Sequence, residues 1–356
     1  MDFFKSNKSH NIGRSQKEVT QYKSGLPSQS AFLNTNKEFS PKRSWWIGFS
    51  LLIALSLVWG VAWPVIKIVL FEVPPWTFRM YCTLFGGAGF IILIKSLGFS
   101  LKLTKKDFKP VLLSSFFNIT LWFIFSAYAI TNMNAGRASI IAYTMPLWAA
   151  VISGFLLKER LTVGRFTGLF MGIAGIVILI GPDIVVFKTA PIGTIFILCA
   201  AISWGVGVVT VKHYKWSMPT IVLSCWLLII GGVPLVAGAI VIETSAIFAP
   251  ISFRCVLALV YVIVLGNIFS YWAWFKIISI FPVIVSSIGI LMVPIIGVFS
   301  SALMLGEPVG FREIVALVLI VSALVIVLIL PEVLMANQGK IAGRIDDKPV
   351  VQKTHD

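Results

Sequence analysis

Apolar residues in this chain fall into long blocks, and short polar clusters separate the blocks. A helix needs roughly 20 apolar residues to cross the hydrocarbon core of a bilayer. Blocks of about that length predict ten transmembrane helices, with approximate limits at 47–71, 76–98, 108–132, 134–157, 165–182, 190–211, 219–242, 254–275, 282–305 and 312–334. The narrowest break, at Met133, divides the third block from the fourth.

Two motifs occur in both halves of the chain. In the first motif a Pro precedes a Glu by thirteen residues, at Pro146/Glu159 and Pro294/Glu307. In the second a Trp-Gly-Val triplet begins eight residues before a Lys, at Trp59/Lys67 and Trp204/Lys212. The repeats predict one five-helix unit at 45–185 and a second at 186–335. Because five is odd, the second unit is expected to be inverted relative to the first, as in many transporters.

The placement of positive charge predicts the orientation. Lys and Arg concentrate in the N-terminal tail (1–44), in the C-terminal tail (336–356) and in the loops on the same side of the predicted helices. Cytoplasmic loops are enriched in these residues, so both termini are predicted to be cytoplasmic. The N-terminal tail is polar and aperiodic, which predicts disorder. It is expected to contact lipid headgroups, and binding of a partner by this tail stays open.

Composition indicates an integral membrane protein in a lipid bilayer. Hydrophobic residues make up 58% of the chain and charged residues 12%, against about 45–50% and about 25% in soluble domains. The net charge of +15 follows from the orientation signal and implies no nucleic-acid partner. The sequence has no nucleophile, metal-ligand or phosphate-loop motif, so no enzyme activity, metal or cofactor is predicted.

Polar and aromatic side chains form two similar stripes inside the apolar blocks. The stripes follow helical spacing and comprise Asn118, Trp122 and Phe125 in the third block and Asn267, Tyr271 and Trp274 in the eighth. An amide in hydrocarbon needs a partner. That partner is either another helix, through a hydrogen bond of about 0.6–2 kcal/mol, or a polar cavity, and both interpretations stay open here.

Further tryptophans lie deeper than interfacial anchors. Trp59 and Trp63 are one turn apart in the first block, and Trp204 corresponds to Trp59 in the second half. Tryptophans at this depth either face the lipid or line a cavity, and both interpretations stay open. A different pattern, small residues three or four apart, predicts a helix-packing face at Gly164, Gly168, Gly172 and Gly175.

Three prolines are predicted to break or bend helices. Pro64 should kink the first helix. Pro146 and Pro294 each lie about two turns into a block and should interrupt it, which frees a carbonyl for a partner or a wet cavity. Tyr143 lies near the first of these interruptions.

Charged residues are scarce in the predicted helices. No Asp or Glu lies near the middle of a block, which argues against coupling to protons and favours facilitated diffusion or exchange. Arg79 and Arg137 lie about one turn from the predicted outer surface, so their charged ends are expected to reach it.

The repeated motifs resemble those of the drug/metabolite transporter superfamily, and most closely its EamA family. The Trp-Gly start and the Pro-to-Glu end of each half carry the resemblance, together with the stretches 127–130 and 134–139. The resemblance covers about residues 48–182 and 190–332, although the second half departs from the pattern at 275–283. It implies a ten-helix basket in which the first four helices of each half surround a cavity, with the fifth and tenth peripheral. It also implies export of amino acids and other small metabolites across a bacterial inner membrane.

The sequence therefore predicts a carrier, and an exporter, of small neutral or zwitterionic metabolites such as amino acids. The residues expected to line its substrate cavity are Trp59, Trp63, Asn118, Trp122, Tyr143, Trp204, Asn267, Tyr271 and Trp274. One alternative is a membrane scaffold or sensor whose basic tail recruits a partner. Another is a nucleotide-sugar or phosphate-ester exchanger of the same superfamily, against which the scarcity of interior Lys and Arg argues.

Overall fold

A computed structural model describes residues 41–156, 163–180, 191–281 and 283–329. Glu159, residues 1–40 and the whole predicted C-terminal tail lie outside the described residues. By contact, the chain divides into a unit of residues 1–47 and a unit of residues 48–356. All contacts given below lie within the second unit.

Every regular element in the described ranges is helical. The α-helices, in chain order, are α1 (Pro41–Leu70), α2 (Pro75–Ser96), α3 (Lys105–Ser115), α4 (Trp122–Asn132), α5 (Ala135–Ala142), α6 (Met145–Leu156), α7 (Val163–Ile180), α8 (Pro191–His213), α9 (Thr220–Ile242), α10 (Phe253–Val260), α11 (Ser270–Ile280), α12 (Val283–Leu305) and α13 (Phe311–Leu324). Three π-helical segments connect or extend these helices, at Phe116–Leu121, Tyr261–Phe269 and Val325–Ile329. A 3₁₀ turn follows α9 at Thr244–Ala246.

Several of these helices are long and apolar enough to cross a membrane. Among the described residues, seven meet that criterion of length and composition, at Trp46–Leu70, Pro75–Ser96, Lys105–Asn132, Ala135–Leu156, Ile192–His213, Thr220–Ile242 and Phe253–Trp274. Two further apolar helices are shorter, at Phe166–Leu179 and Leu291–Leu305. The chain is thus an all-helical, multi-pass membrane protein.

Local chemistry sets the helix ends. Pro75 opens α2 at a position where the missing N–H has no intrahelical partner to lose. Thr104 caps α3 by accepting a hydrogen bond from the Asp107 N–H. The predicted break at Met133 is confirmed, since this residue is extended between α4 and α5.

The two halves pack on each other reciprocally. The first π segment, in half one, packs on α9, and the second π segment, in half two, packs on α2. Helices α2 and α9 also pack together, while α8 packs on α4 and α6. The predicted glycine face is confirmed where Gly168 and Gly175 bring α7 against the backbone carbonyls of α13. The interior of the protein is therefore built largely from contacts between the halves.

Candidate functional site

Two pairs of tryptophan rings join the halves. The ring centroids of Trp122 in α4 and Trp204 in α8 are 5.1 Å apart, and those of Trp59 in α1 and Trp274 in α11 are 6.3 Å apart. Trp59 and Trp204 are the equivalent residues of the repeated motif, and each packs on a tryptophan from the stripe of the other half. All four residues are only partly buried.

The first stripe faces α8 along its length. The Asn118 amide donates from Nδ2 to the Ser114 carbonyl at 3.1 Å, and its residue is 6% exposed. A Cβ built on Gly207 of α8 would lie 2.4 Å from the amide carbon and nitrogen. Asn118 is therefore wedged against a glycine. Its surroundings match the helix-packing interpretation of this stripe.

The second stripe faces α2 and α1, and its amide differs. Asn267 lies in the second π segment, and its Nδ2 is buried with no hydrogen-bond partner in the part of the chain that the structure describes. The amide lies beside Gly86, where a Cβ would be 3.5 Å away. Tyr271 meets the edge of Phe90, with ring centroids 5.3 Å apart. The second amide therefore keeps an unused hydrogen-bonding group.

Trp63 and Tyr143 lie in the hydrophobic core that α1, α5 and α12 share. Both are buried, at 7% and 6% exposure. The Trp63 ring lies against Gly297, and the rings of Trp59 and Trp122 pack on the same core. Four of the predicted cavity residues, Trp59, Trp63, Trp122 and Tyr143, thus share one hydrophobic core, while Asn267 and Tyr271 contact α2.

The prolines behave differently from one another. The interruption near Pro146 is present, because α5 ends at Ala142 and α6 begins at Met145. The predicted interruption at Pro294 is wrong, since α12 continues through it, and α1 likewise continues through Pro64. A proline removes a single N–H, and a neighbouring side chain can serve the freed carbonyl. In α1 the Ser300 hydroxyl donates to the freed Gly60 carbonyl at 3.4 Å.

A carboxylate at one end of the bundle fastens the halves. Glu307 accepts hydrogen bonds from the backbone N–H groups of Ala135 and Gly136, at 2.7 and 2.9 Å, and so caps α5. The same carboxylate lies 3.2 Å from the ammonium of Lys67, which also donates to the Met133 carbonyl at 2.8 Å. Lys67 and Glu307 belong to the repeated motifs, but their pairing was not predicted because they are far apart in the sequence.

Two more carboxylates act in the same way at this face. Glu243 accepts from the N–H groups of Trp76 and Thr77 at the start of α2, at 3.3 and 2.7 Å. Glu72 accepts from the Ser252 N–H at 2.7 Å and from its hydroxyl at 2.5 Å. The bonds from Ser252 hold the pKa of Glu72 below its ordinary value. At this face the halves are thus joined by contacts to charged side chains.

The two arginines have different surroundings. Arg137 pairs with Glu313, at 2.7 Å from Nη2 to Oε1. The prediction that Arg79 reaches the surface is wrong, because this residue is 4% exposed. Its Nε donates to the Phe123 carbonyl at 3.0 Å and its Nη2 to the Ser126 hydroxyl at 2.9 Å. These bonds to α4 draw the guanidinium inward between the helices.

Comparison with known proteins identifies the family. The model of the EamA-like transporter family matches residues 46–181 and again residues 191–329, which together make up most of the chain. The chain belongs to the EamA-like transporter family. As an EamA-like protein it is a membrane transporter and not an enzyme, and each family match contains one Trp-Gly-Val motif and one partner of each tryptophan pair.

Named relatives of this EamA-like transporter agree with that class. It is 30% identical over 285 residues to the "Uncharacterized transporter YvbV" of Bacillus subtilis, covering 78% of this chain and 90% of the relative. It is 25% identical over 292 residues to the "Probable amino-acid metabolite efflux pump" of Salmonella typhimurium, covering 78% and 93%. A crystal structure of a protein 22% identical in sequence aligns with a TM-score of 0.57 over 80% of this chain and 99% of that one, which supports the fold.

Proposed function

We propose that this EamA-like transporter exports small neutral or zwitterionic metabolites, such as amino acids, across a bacterial inner membrane. It would do so by alternating access between two inverted five-helix repeats with both termini in the cytoplasm. The relatives named as amino-acid metabolite efflux pumps support the substrate class and the direction. The odd number of predicted helices in each repeat supports the inversion.

The observation that carries the proposal is the reciprocal arrangement of the two tryptophan pairs. In each pair a tryptophan of the repeated motif in one half meets a stripe tryptophan of the other half, and all four residues are only partly buried. Ring faces at an interface between inverted halves offer apolar walls to a ligand in either conformation. The unpaired amide of Asn267 would add a hydrogen bond, for which the neutral substrate supplies an acceptor.

Alternating access requires the halves to part at one face and to close at the other. In this structure Lys67, Glu307 and Glu243 join the halves where α1 ends and α2 begins. With both termini cytoplasmic, that face is the outer one. The opposite end is joined by a bond from the Ser217 hydroxyl to the Asp107 carboxylate and by one from the Trp226 ring to the Leu101 carbonyl at 3.1 Å. The proposed cycle breaks the outer set to release substrate.

Counterflow in proteoliposomes tests the proposal. Purified protein is reconstituted into proteoliposomes that are loaded with one unlabelled compound, and uptake of the same compound in labelled form is measured. The measurement is repeated for each member of a panel of amino acids and polar metabolites. Saturable uptake of at least one amino acid is expected, and no ion gradient is needed. A flat result across the panel with folded, inserted protein would overturn the substrate class.

A matched pair of variants tests the tryptophan site. Trp274→Ala removes one ring of a pair, whereas Trp272→Ala removes an exposed ring on the same helix. Trp274→Ala is expected to lower counterflow by on the order of tenfold, equivalent to about 1.4 kcal/mol, while Trp272→Ala leaves it within about twofold of the wild type. Equal effects of the two variants on counterflow would contradict the assignment of the tryptophan pairs to the substrate site.

A further inference from the structure

Arg79 is a buried positive charge with no carboxylate partner among the described residues. It lies one turn into α2, and every ion pair of the described residues involves other side chains. It donates hydrogen bonds to a carbonyl and a hydroxyl of α4, and its third partner is the Cys82 thiol, so none of these partners is a carboxylate. Charged side chains inside membrane helices are costly, and they usually mark a substrate or ion pathway.

The surroundings of Arg79 hold its guanidinium in a fixed plane. The guanidinium carbon lies 4.6 Å from the ring centroid of Phe78 and 4.6 Å from that of Phe123. Aromatic faces stabilise a cation without neutralising it. Nε and Nη2 are each anchored by one hydrogen bond to α4, and the guanidinium also interacts with the Cys82 thiol of its own helix. These three partners leave part of its five N–H donors unused. A rigid fork with unused N–H donors suits a planar anion.

We propose that Arg79 binds the carboxylate of the transported metabolite. The inference rests on the proposed carrier function, and it narrows the substrate class from neutral or zwitterionic metabolites to those that bear a carboxylate. A carboxylate would supply the missing counter-charge and accept two parallel N–H bonds. Compounds of the same shape with an amide in place of the acid would leave the guanidinium unpaired.

One contact between α2 and α4 lies closer to the helix ends than Arg79 does. The Trp76 ring donates to the Tyr128 hydroxyl at 3.1 Å, and both residues lie closer than Arg79 and Ser126 to the ends where α2 begins and α4 finishes. The substrate would therefore meet Arg79 in a conformation in which Trp76 and Tyr128 have separated. Arg79 then serves the outward part of the transport path.

Competition between acids and amides tests the assignment. Counterflow of labelled leucine and of labelled phenylalanine is inhibited with leucine, leucinamide, phenylalanine and phenylalaninamide. In the wild type each acid is expected to inhibit at a concentration at least about tenfold lower than its amide. Arg79→Met is expected to lose most uptake and to reduce that ratio to within about twofold. Arg79→Lys, which keeps the charge without the fork, should give an intermediate ratio. Lys95→Gln removes an exposed charge from the same helix and should behave as the wild type.

The outcomes separate this assignment from the carrier function. Wild-type counterflow with equal inhibition by acid and amide overturns the assignment alone, and so does a folded Arg79→Met that keeps the wild-type ratio. The absence of counterflow with every amino acid overturns both. Should the Arg79 variants not fold, Ser126→Ala is measured instead, because it keeps the charge of Arg79 and removes the acceptor of Nη2. A shifted acid-to-amide ratio in Ser126→Ala supports the assignment. An unchanged ratio assigns Arg79 a structural role only.

Discussion

Asn118 and Asn267 occupy equivalent places in the two halves, yet their amides have different environments. Asn118 is hydrogen-bonded within its own helix and wedged against Gly207. Asn267 lies beside Gly86 at an ordinary contact distance, and its Nδ2 has no partner among the described residues. The difference shows that equivalent residues of a duplicated unit can have different hydrogen-bonding roles. One copy of the polar residue packs against the facing helix, and the other has an unpaired Nδ2, which the proposed function assigns to substrate.

The glycines facing the two amides should respond most differently. Gly207→Ala would place a Cβ 2.4 Å from the Asn118 amide, and such overpacking costs about 1–3 kcal/mol. Gly86→Ala meets its neighbours at 3.4 and 3.5 Å, so its effect on the apparent Tm in detergent should be small. The double variant Gly207→Ala/Asn118→Ala should recover much of the lost Tm. Equal losses at both glycines would contradict the comparison.

Replacing each amide with leucine should separate folding from transport. Asn118→Leu puts a bulkier group in a filled space and is expected to lower the apparent Tm. Asn267→Leu removes an unsatisfied buried group, whose cost is about 1–3 kcal/mol, so the Tm should stay or rise while counterflow falls. Thermal unfolding and counterflow are measured on the same preparations. A loss of Tm in Asn267→Leu equal to that in Asn118→Leu would assign both amides to packing.

The smallest effect is expected from a single hydroxyl. Tyr271→Phe keeps the ring on Phe90 and should raise the KM for counterflow by about two- to threefold without changing the Tm, as loss of one weak hydrogen bond would. Tyr261→Phe is the matched control in the same span, because that hydroxyl donates to the Val58 carbonyl at 2.9 Å. It should lower the Tm and leave the KM unchanged. The reverse pattern would exchange their roles.

Sequence reasoning predicted the helical class, the repetition and the break at Met133 because each depends on local composition. The equivalence of Trp59 and Trp204 was also visible, since a duplicated motif keeps its spacing. The partners of these rings were not, because they depend on contacts between halves. The π segments at Phe116–Leu121 and Tyr261–Phe269 change the helical register within each stripe, and ordinary 3.6-residue periodicity gives no sign of them.

Charged residues were the hardest to place from sequence. The hydrophobic blocks put Arg79 near a surface, and proximity in sequence suggested that it would extend there. The acceptors on Phe123 and Ser126 lie on another helix, so only the packed structure reveals them. Glu307 likewise appeared as the end of a motif, whereas its partners Lys67, Ala135 and Gly136 are all in the other half.

In the proposed cycle, the carboxylates that join the halves at one face also determine the chemistry of that face after the halves separate. Separation of Glu307 from Lys67 and from the start of α5 would expose an anion, a cation and unpaired N–H groups together. Glu243 and Glu72 would do the same at α2 and at Ser252. Each of these groups would then need water as a hydrogen-bonding partner, so water would enter this face as the halves separate. Added salt would weaken the electrostatic attraction between these charged groups and so favour the conformation in which the halves are separated at this face.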